Sequence, residues 1–396
     1  MKVIIVGNTT PPDKMGGLGR YTRELAGALV AAGCDVKLLV KRVDPRSPSR
    51  ERTFDGVDLI RHDVLDKRNP LFAPTYPFLT ARGVLGPLRT LADEQTIIHT
   101  HFPVTALPIA LSGRRFIHTF HAPVWEELLD ERQASYFLPT PVQGLAVTGI
   151  RGAERQVMNR AREVFVLSDF MRRRLHEISP HAADRALVLP GGIDTGRFAP
   201  QTTTERAPTS APRLFTARRM SPRMGLDVLI AAMPTVLAHH PSATLAIAGT
   251  GEMEGLLRSM STTLGIAGRI EFLGRISDQE LVMEYCRATL AVMPTTKLEG
   301  FGLTTAEALA CGTPVVGTAV GATPEILAPI SRALLAPTAT APALASTIIA
   351  LLDDPAKLRR IADVARRRVA PEMDWTTIAA RYIEVYAGHL NPMAVR

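Results

Sequence analysis

The sequence predicts an α/β fold: two Rossmann-like domains, each built on a parallel sheet, facing a central cleft. Three observations predict it. Apolar, β-rich runs alternate with helix-spaced segments from the first residues onward. A polar stretch without periodicity, Pro200–Pro212 (PQTTTERAPTSAP), breaks the series, and the same alternation then resumes. The strands are apolar along their length, which implies parallel sheets covered on both faces. Two such halves place ligands in the crevice at their junction.

Taken in order, Lys2–Val6 reads as a first buried strand and Gly7–Gly19 as a loop. Arg20–Ala32 places Tyr21, Leu25 and Leu29 at helical spacing, Gly33 ends that helix, and Asp35–Val40 resumes a strand. Strands are predicted near Thr96–His99, Phe116–Thr119 and Val164–Leu167, with helical segments at Ala153–Arg162 and Asp169–Glu177. Residues 125–150 carry too little periodicity to assign. After the break come strand Leu214–Ala217, helix Leu226–His239, strand Thr244–Ala248, helix Met253–Leu264 and strand Ile270–Phe272. Helix Asp278–Tyr285, strand Leu290–Met293, helix Thr305–Ala310 and strand Val315–Gly317 follow. The predicted domains are 1–199, a linker at 200–212, 213–370, and a C-terminal segment 371–396. In that segment Trp375–Leu390 forms a helix returning to the first domain.

Composition narrows the function. The chain has 396 residues, is 46% hydrophobic and carries a net charge of +8, so it supports sizeable cores and is no disordered chain. Its 46 cations divide into 7 Lys and 39 Arg. That bias reads as genome composition rather than a nucleic-acid site, since no basic stripe interleaved with aromatics is present. Three scattered cysteines form neither a disulfide framework nor a zinc pattern and fit a reducing cytoplasm. No signal peptide and no apolar run of membrane-spanning length is recognised. Solvated helix faces account for the arginine runs at 172–174 and 366–368 better than a lipid surface does.

Chemistry concentrates at Glu299–Val316 (EGFGLTTAEALACGTPVV). Gly300 and Gly302 let backbone N–H groups close on an anion, and the helix that follows adds its positive end. Glu299 and Glu307 flank that position, and carboxylates suit sugar or ribose hydroxyls. Thr304-x-x-Glu307 also matches a capping box, so Glu307 by itself reads equally as a helix cap. His99, His101, His118 and His121 lie on or beside two strands. No D-x-D occurs to give them or a diphosphate carboxylate support for a metal. The expectation is metal-independent chemistry without a cofactor. G-x-G-x-x-G is absent, against a dehydrogenase.

The paired glutamates enclosing GFGL, with G-x-P-V-V beyond, resemble the signature of the retaining family 4 glycosyltransferases, which have the GT-B fold. Gly16–Leu25 (GGLGRYTREL) resembles that family's glycine loop, and Ile117–Pro123 (IHTFHAP) its histidine segment. Leu189–Pro200, Ala248–Leu257 and Glu271–Leu281 resemble further blocks in the same order. The resemblance implies a sugar transferred from a nucleoside diphosphate, UDP favoured, to a hydroxyl. It implies His121 and Glu299 beside the sugar and Glu307 on the ribose. It places Gly300, Phe301, Gly302 and Leu303 at the diphosphate or sugar, and Gly16, Gly17, Arg219 and Gly249 within the donor site. It also implies that Arg275 and Ile276 line the base pocket. One departure stands out. The family has an arginine and, five residues on, a lysine before glycine; Arg219 matches, but Met224 replaces the lysine. Arg218 or Arg223 is expected to supply the missing charge. The acceptor is expected to be a small molecule such as an aminocyclitol or another natural product. A lipid-linked sugar or a polysaccharide end is the alternative, and a nucleotide-sugar 2-epimerase or a silent binding module are the rival activities. Nucleic acid is not expected as a partner.

Overall fold

A computed structural model describes the chain except residues 12, 14–15, 54, 66–68, 70, 127–139, 202–205 and 391–396. The chain divides into two compact units: Met1–Gly192 with Trp375–Arg396, and Ile193–Asp374.

The first unit holds β1 (Lys2–Val6), β2 (Asp35–Lys41), β3 (Arg50–Arg52), β4 (Asp58–His62), β5 (Thr96–Thr100), β6 (Ile117–Phe120), β7 (Glu163–Val166) and β8 (Leu187–Val188). They form one sheet in the order β3-β4-β2-β1-β5-β6-β7-β8. Pairing is parallel except at the β3–β4 edge. β1 is central and aligns Val3 with Val36 on one side and Ile97 on the other. Its last four residues are buried, as a strand covered on both faces requires. The helices are α1 (Gly17–Ala31), α2 (Phe72–Leu91), α3 (Pro103–Leu111), α4 (Thr140–Arg160), α5 (Asp169–His176) and α6 (Pro180–Asp184). α1 buries Tyr21, Leu25 and Leu29, the stripe its spacing predicts. α5 starts where Ser168 accepts a hydrogen bond from the Met171 N–H.

The second unit holds β9 (Arg213–Ala217), β10 (Thr244–Ala248), β11 (Ile270–Gly274), β12 (Leu290–Met293), β13 (Val315–Thr318) and β14 (Leu335–Ala336). Its helices are α7 (Leu226–His239), α8 (Glu254–Thr263), α9 (Asp278–Arg287), α10 (Leu303–Ala310), α11 (Thr323–Leu327), α12 (Ala341–Leu352) and α13 (Pro355–Met373). The sheet runs β11-β10-β9-β12-β13-β14, all parallel. Numbered within the unit this is the 3-2-1-4-5-6 order of a doubly wound fold, with its switch point between β9 and β12. The final helix, α14 (Trp375–Leu390), belongs to the first unit and packs on α1.

Boundaries differ from those expected. The change of unit falls at Gly192/Ile193, before the Pro/Thr-rich stretch. Within that stretch Ala207 is tied to the second unit: its N–H donates to the Arg287 carbonyl at 2.8 Å, and its carbonyl accepts from Thr289 Oγ1 at 2.7 Å. The return falls at Asp374 rather than 371, because α13 continues to Met373. Residues 125–150, left unassigned by the sequence, include the start of α4. No described helix is long and apolar enough to cross a membrane.

Candidate active site

In a parallel sheet every strand ends at the same edge. The carboxyl edge of the second unit therefore gathers Arg218–Gly225 after β9, Gly249 after β10, Arg275 and Ile276 after β11, and Pro294–Gly302 after β12. All the second-unit residues expected to bind donor sit at that edge or on the helix leading away from it.

α10 begins at Leu303, earlier than predicted, with Gly302 as its N-cap at φ +98°. Glycine is required there by the left-handed backbone. This start excludes the capping box. Thr304 lies inside the helix, its hydroxyl directed to Met293 Sδ at 3.6 Å. Glu307 stands in the second turn, 3% exposed, and is not the cap its spacing permitted. The helix N-terminus thus carries no side-chain cap.

That loop is held from several sides. Leu298 has φ +47°, the one non-glycine residue with positive φ among those described. Its carbonyl accepts Arg223 Nη1 at 3.1 Å. The Glu299 carbonyl accepts the Ala322 N–H at 2.9 Å, and a Cβ at Gly321 would lie 2.4 Å from that same oxygen. The Glu299 carboxylate meets Arg218 Nη2 at 2.7 Å. Gly249, at φ +122°, lets the turn after β10 close onto Arg218, whose carbonyl a Cβ would meet at 2.0 Å. Arg219 is exposed, Phe301 is buried, and Met224 is buried in the turn that follows Ser221. The two arginines expected to replace the lysine are thus engaged with the Glu299 loop.

In the first unit, a Cβ at Gly16 or Gly17 would meet no described atom within 4 Å, so packing does not demand glycine at either position. His121 follows β6. Its Nε2 lies 3.0 Å from His101 Nδ1, and its ring meets Tyr21 edge-on at 4.9 Å. His99 is bonded to Tyr386 Oη at 2.6 Å and Thr119 Oγ1 at 2.7 Å, and His118 to Thr100 Oγ1 at 2.7 Å. Burial holds His118 and His121 down to about 3 and His99 and His101 well below 6.5. All four are neutral imidazoles near neutral pH: His99 and His118 are bonded to hydroxyls, and His101 and His121 to each other. No group of three or more His, Cys, Asp or Glu among the described residues is disposed to hold a metal.

Sequence reasoning missed what supports His121. Tyr21 Oη and Tyr382 Oη are 2.8 Å apart, Trp375 Nε1 donates to Glu24 at 2.9 Å, and both partners come from α14. A lone aromatic on a helix gives no sign of which strand it will face.

Comparison with known proteins identifies the family. Residues 15–197 match the family model "Glycosyltransferase Family 4" and residues 201–368 match "Glycosyl transferases group 1". The chain is 27% identical to a glycogen synthase of Mycobacterium tuberculosis, over 98% of this chain and 94% of that one. It is likewise 27% identical to a D-inositol 3-phosphate glycosyltransferase of Jonesia denitrificans, over 94% and 91%. Among solved structures it resembles sucrose-phosphate synthase from Thermosynechococcus elongatus, with a TM-score of 0.82 and 24% identity over 99% and 100% of the two chains. It also resembles Anabaena HepE in complex with UDP and glucose, with a TM-score of 0.73 and 18% identity over 98% and 100%. The ordered motifs, the two parallel α/β units and both family models agree: the chain belongs to the family 4 glycosyltransferases, retaining enzymes of the GT-B fold that use a nucleotide-sugar donor.

Proposed function

We propose that the chain transfers a hexose from a UDP-sugar, with retention, to a hydroxyl of a small polyol such as an aminocyclitol, in natural-product biosynthesis. The second unit binds the donor and the first the acceptor. The observation that carries the donor half is the uncapped N-terminus of α10, with Glu299 before it and Glu307 buried within it. Orphan N–H groups and the helix dipole favour an anion at that end, and the two carboxylates flanking it suit hydroxyls. HepE, crystallised with UDP and glucose, supports the choice of donor. The relative named for inositol 3-phosphate supports a cyclitol acceptor.

The roles follow. Glu307 takes the ribose hydroxyls, Arg275 and Ile276 the base, and Glu299 a sugar hydroxyl. N–H groups of Gly300–Leu303 and the Arg219 guanidinium oppose charge growing on the leaving diphosphate, an interaction that strengthens as the glycosidic bond breaks. Gly16 and Gly17 leave room for phosphate, and His121 stands by the sugar as a neutral group. A neutral imidazole pushed to about 3 is a poor base, so the leaving phosphate itself takes the acceptor proton. Cys34, Cys286 and Cys311 are free and buried, in keeping with a reducing cytoplasm. Mass analysis of products from a matrix of UDP-, GDP- and ADP-sugars against cyclitol, lipid-linked and glucan acceptors tests the reading. Transfer from a UDP-hexose to a cyclitol is expected; transfer to glucan alone overturns the acceptor.

A further inference from the structure

Two donors converge on one oxygen of Glu299. Arg218 Nη2 bonds Oε2 at 2.7 Å, and Thr295 Oγ1 reaches the same oxygen at 3.3 Å. Among the described residues Oε1 takes no bond. Arg218 is buried and Glu299 half-buried, their side chains 7% and 14% exposed. The guanidinium also donates to Thr295 Oγ1 and, through Nη1, to Thr304 Oγ1 at 3.5 Å. Its Nε is buried and meets no acceptor among the described residues. Thr295 and Thr304 are neutral, so the one anion on this cation among the described residues is Glu299. A guanidinium neutralised by a carboxylate adds no net charge for a diphosphate to use. The backbone beneath is fixed as well, by Arg223 on the Leu298 carbonyl and by Gly321 and Ala322 against Glu299.

From this geometry we propose that Arg218 is a positioning residue: it holds Glu299 by Oε2 so that Oε1 alone is presented to a donor-sugar hydroxyl, and it does not stand in for the lysine that Met224 replaces. The proposal rests on the reading of Glu299 as the sugar-facing carboxylate. It separates two things that a simple activity loss would confound, nucleotide grip and sugar orientation.

The test compares Arg218→Met, Arg218→Lys, Glu299→Gln and the Arg218→Met/Glu299→Gln double variant. Binding is read by calorimetry with free UDP, GDP and ADP, using whichever binds the wild type. Turnover is read with the wild-type donor. For Arg218→Met the nucleotide Kd is expected to stay within about twofold while kcat falls about tenfold or more. Arg218→Lys, which can still reach Oε2, recovers part of kcat. In the Glu299→Gln background Arg218→Met causes little further loss, because the two act as one unit. A second readout is independent of activity: Glu299→Gln leaves a buried cation uncompensated and lowers Tm, and the double variant regains it. A nucleotide Kd weakened about tenfold by Arg218→Met overturns the proposal in favour of a phosphate contact. Equal losses of kcat in both backgrounds overturn it too. Normal turnover by Glu299→Gln alone removes the underlying reading of Glu299, whatever Arg218 does.

Discussion

At the scale of single residues, Glu307 and Glu299 look alike in sequence and differ in surroundings. Glu307 is inside a helix and 3% exposed; Glu299 is on a loop and held by an arginine. A ribose changes little during reaction, so Glu307→Ala is expected to weaken UDP binding by about tenfold or more and leave saturated kcat within a few-fold. That scale follows from hydrogen bonds to a charged group, about 1.5–3 kcal/mol. Unchanged UDP affinity in calorimetry would return Glu307 to a structural part. The residue types at this site were legible because an acid, a glycine and a helix start are local facts. Their partners were not. Arg218 and Glu299 are bonded across 81 positions of chain, and nothing in either neighbourhood announces the other. Reading Arg218 as a phosphate ligand was natural from charge alone, yet burial beside a carboxylate changes what that charge can do.

At the scale of elements, apolar runs placed most strands, but β3, β4, β8 and β14 and much of the long helices α2, α4 and α13 were not legible. α2 contains Pro77 and Pro87, and α4 contains Gly144, Gly149 and Gly152. These residues oppose helix propensity and blur its period, and tertiary packing overrides them. The carboxyl-edge turns are more exacting. Gly225 has φ +69°, and a Cβ there would lie 1.9 Å from the Pro294 carbonyl oxygen. Gly225→Ala is therefore expected to destabilise the second unit by about 1–3 kcal/mol, the range of backbone strain, visible as a lower Tm; a Tm equal to wild type would show that the turn after β9 relaxes freely. The β5 and β6 histidines give a pH dependence. Their folded values lie below the ordinary 6.5, with His118 and His121 at about 3. The unfolded chain binds these protons first, so stability is full above pH 6.5 and declines as pH falls from 6.5 toward 3. Denaturant melts at pH 7, 5 and 4 should show a progressive drop, reduced by His118→Gln; a flat profile would mean that these rings accept protons in place.

At the scale of the whole molecule, two units with separate cores make a single unfolding free energy a poor description. A nucleotide held by the second unit should move that unit's transition in scanning calorimetry, by about 2.7 kcal/mol at a hundredfold excess over Kd. EDTA should change neither this shift nor turnover. Activity lost in EDTA and restored by magnesium or manganese would contradict metal-independent chemistry. The first unit is discontinuous: Tyr382 and Tyr386 of α14 complete the packing around Tyr21 and His99, whose strands and helix lie within the first hundred or so residues. On the ribosome this reverses the usual order, in which the N-terminal domain matures first. Residues 193–374 have emerged, and can fold, before α14 leaves the exit tunnel, while the sheet begun at Lys2 waits with its histidine face uncovered. During synthesis that face is therefore built from strands made before the second unit, and it stays open until α14 has been made.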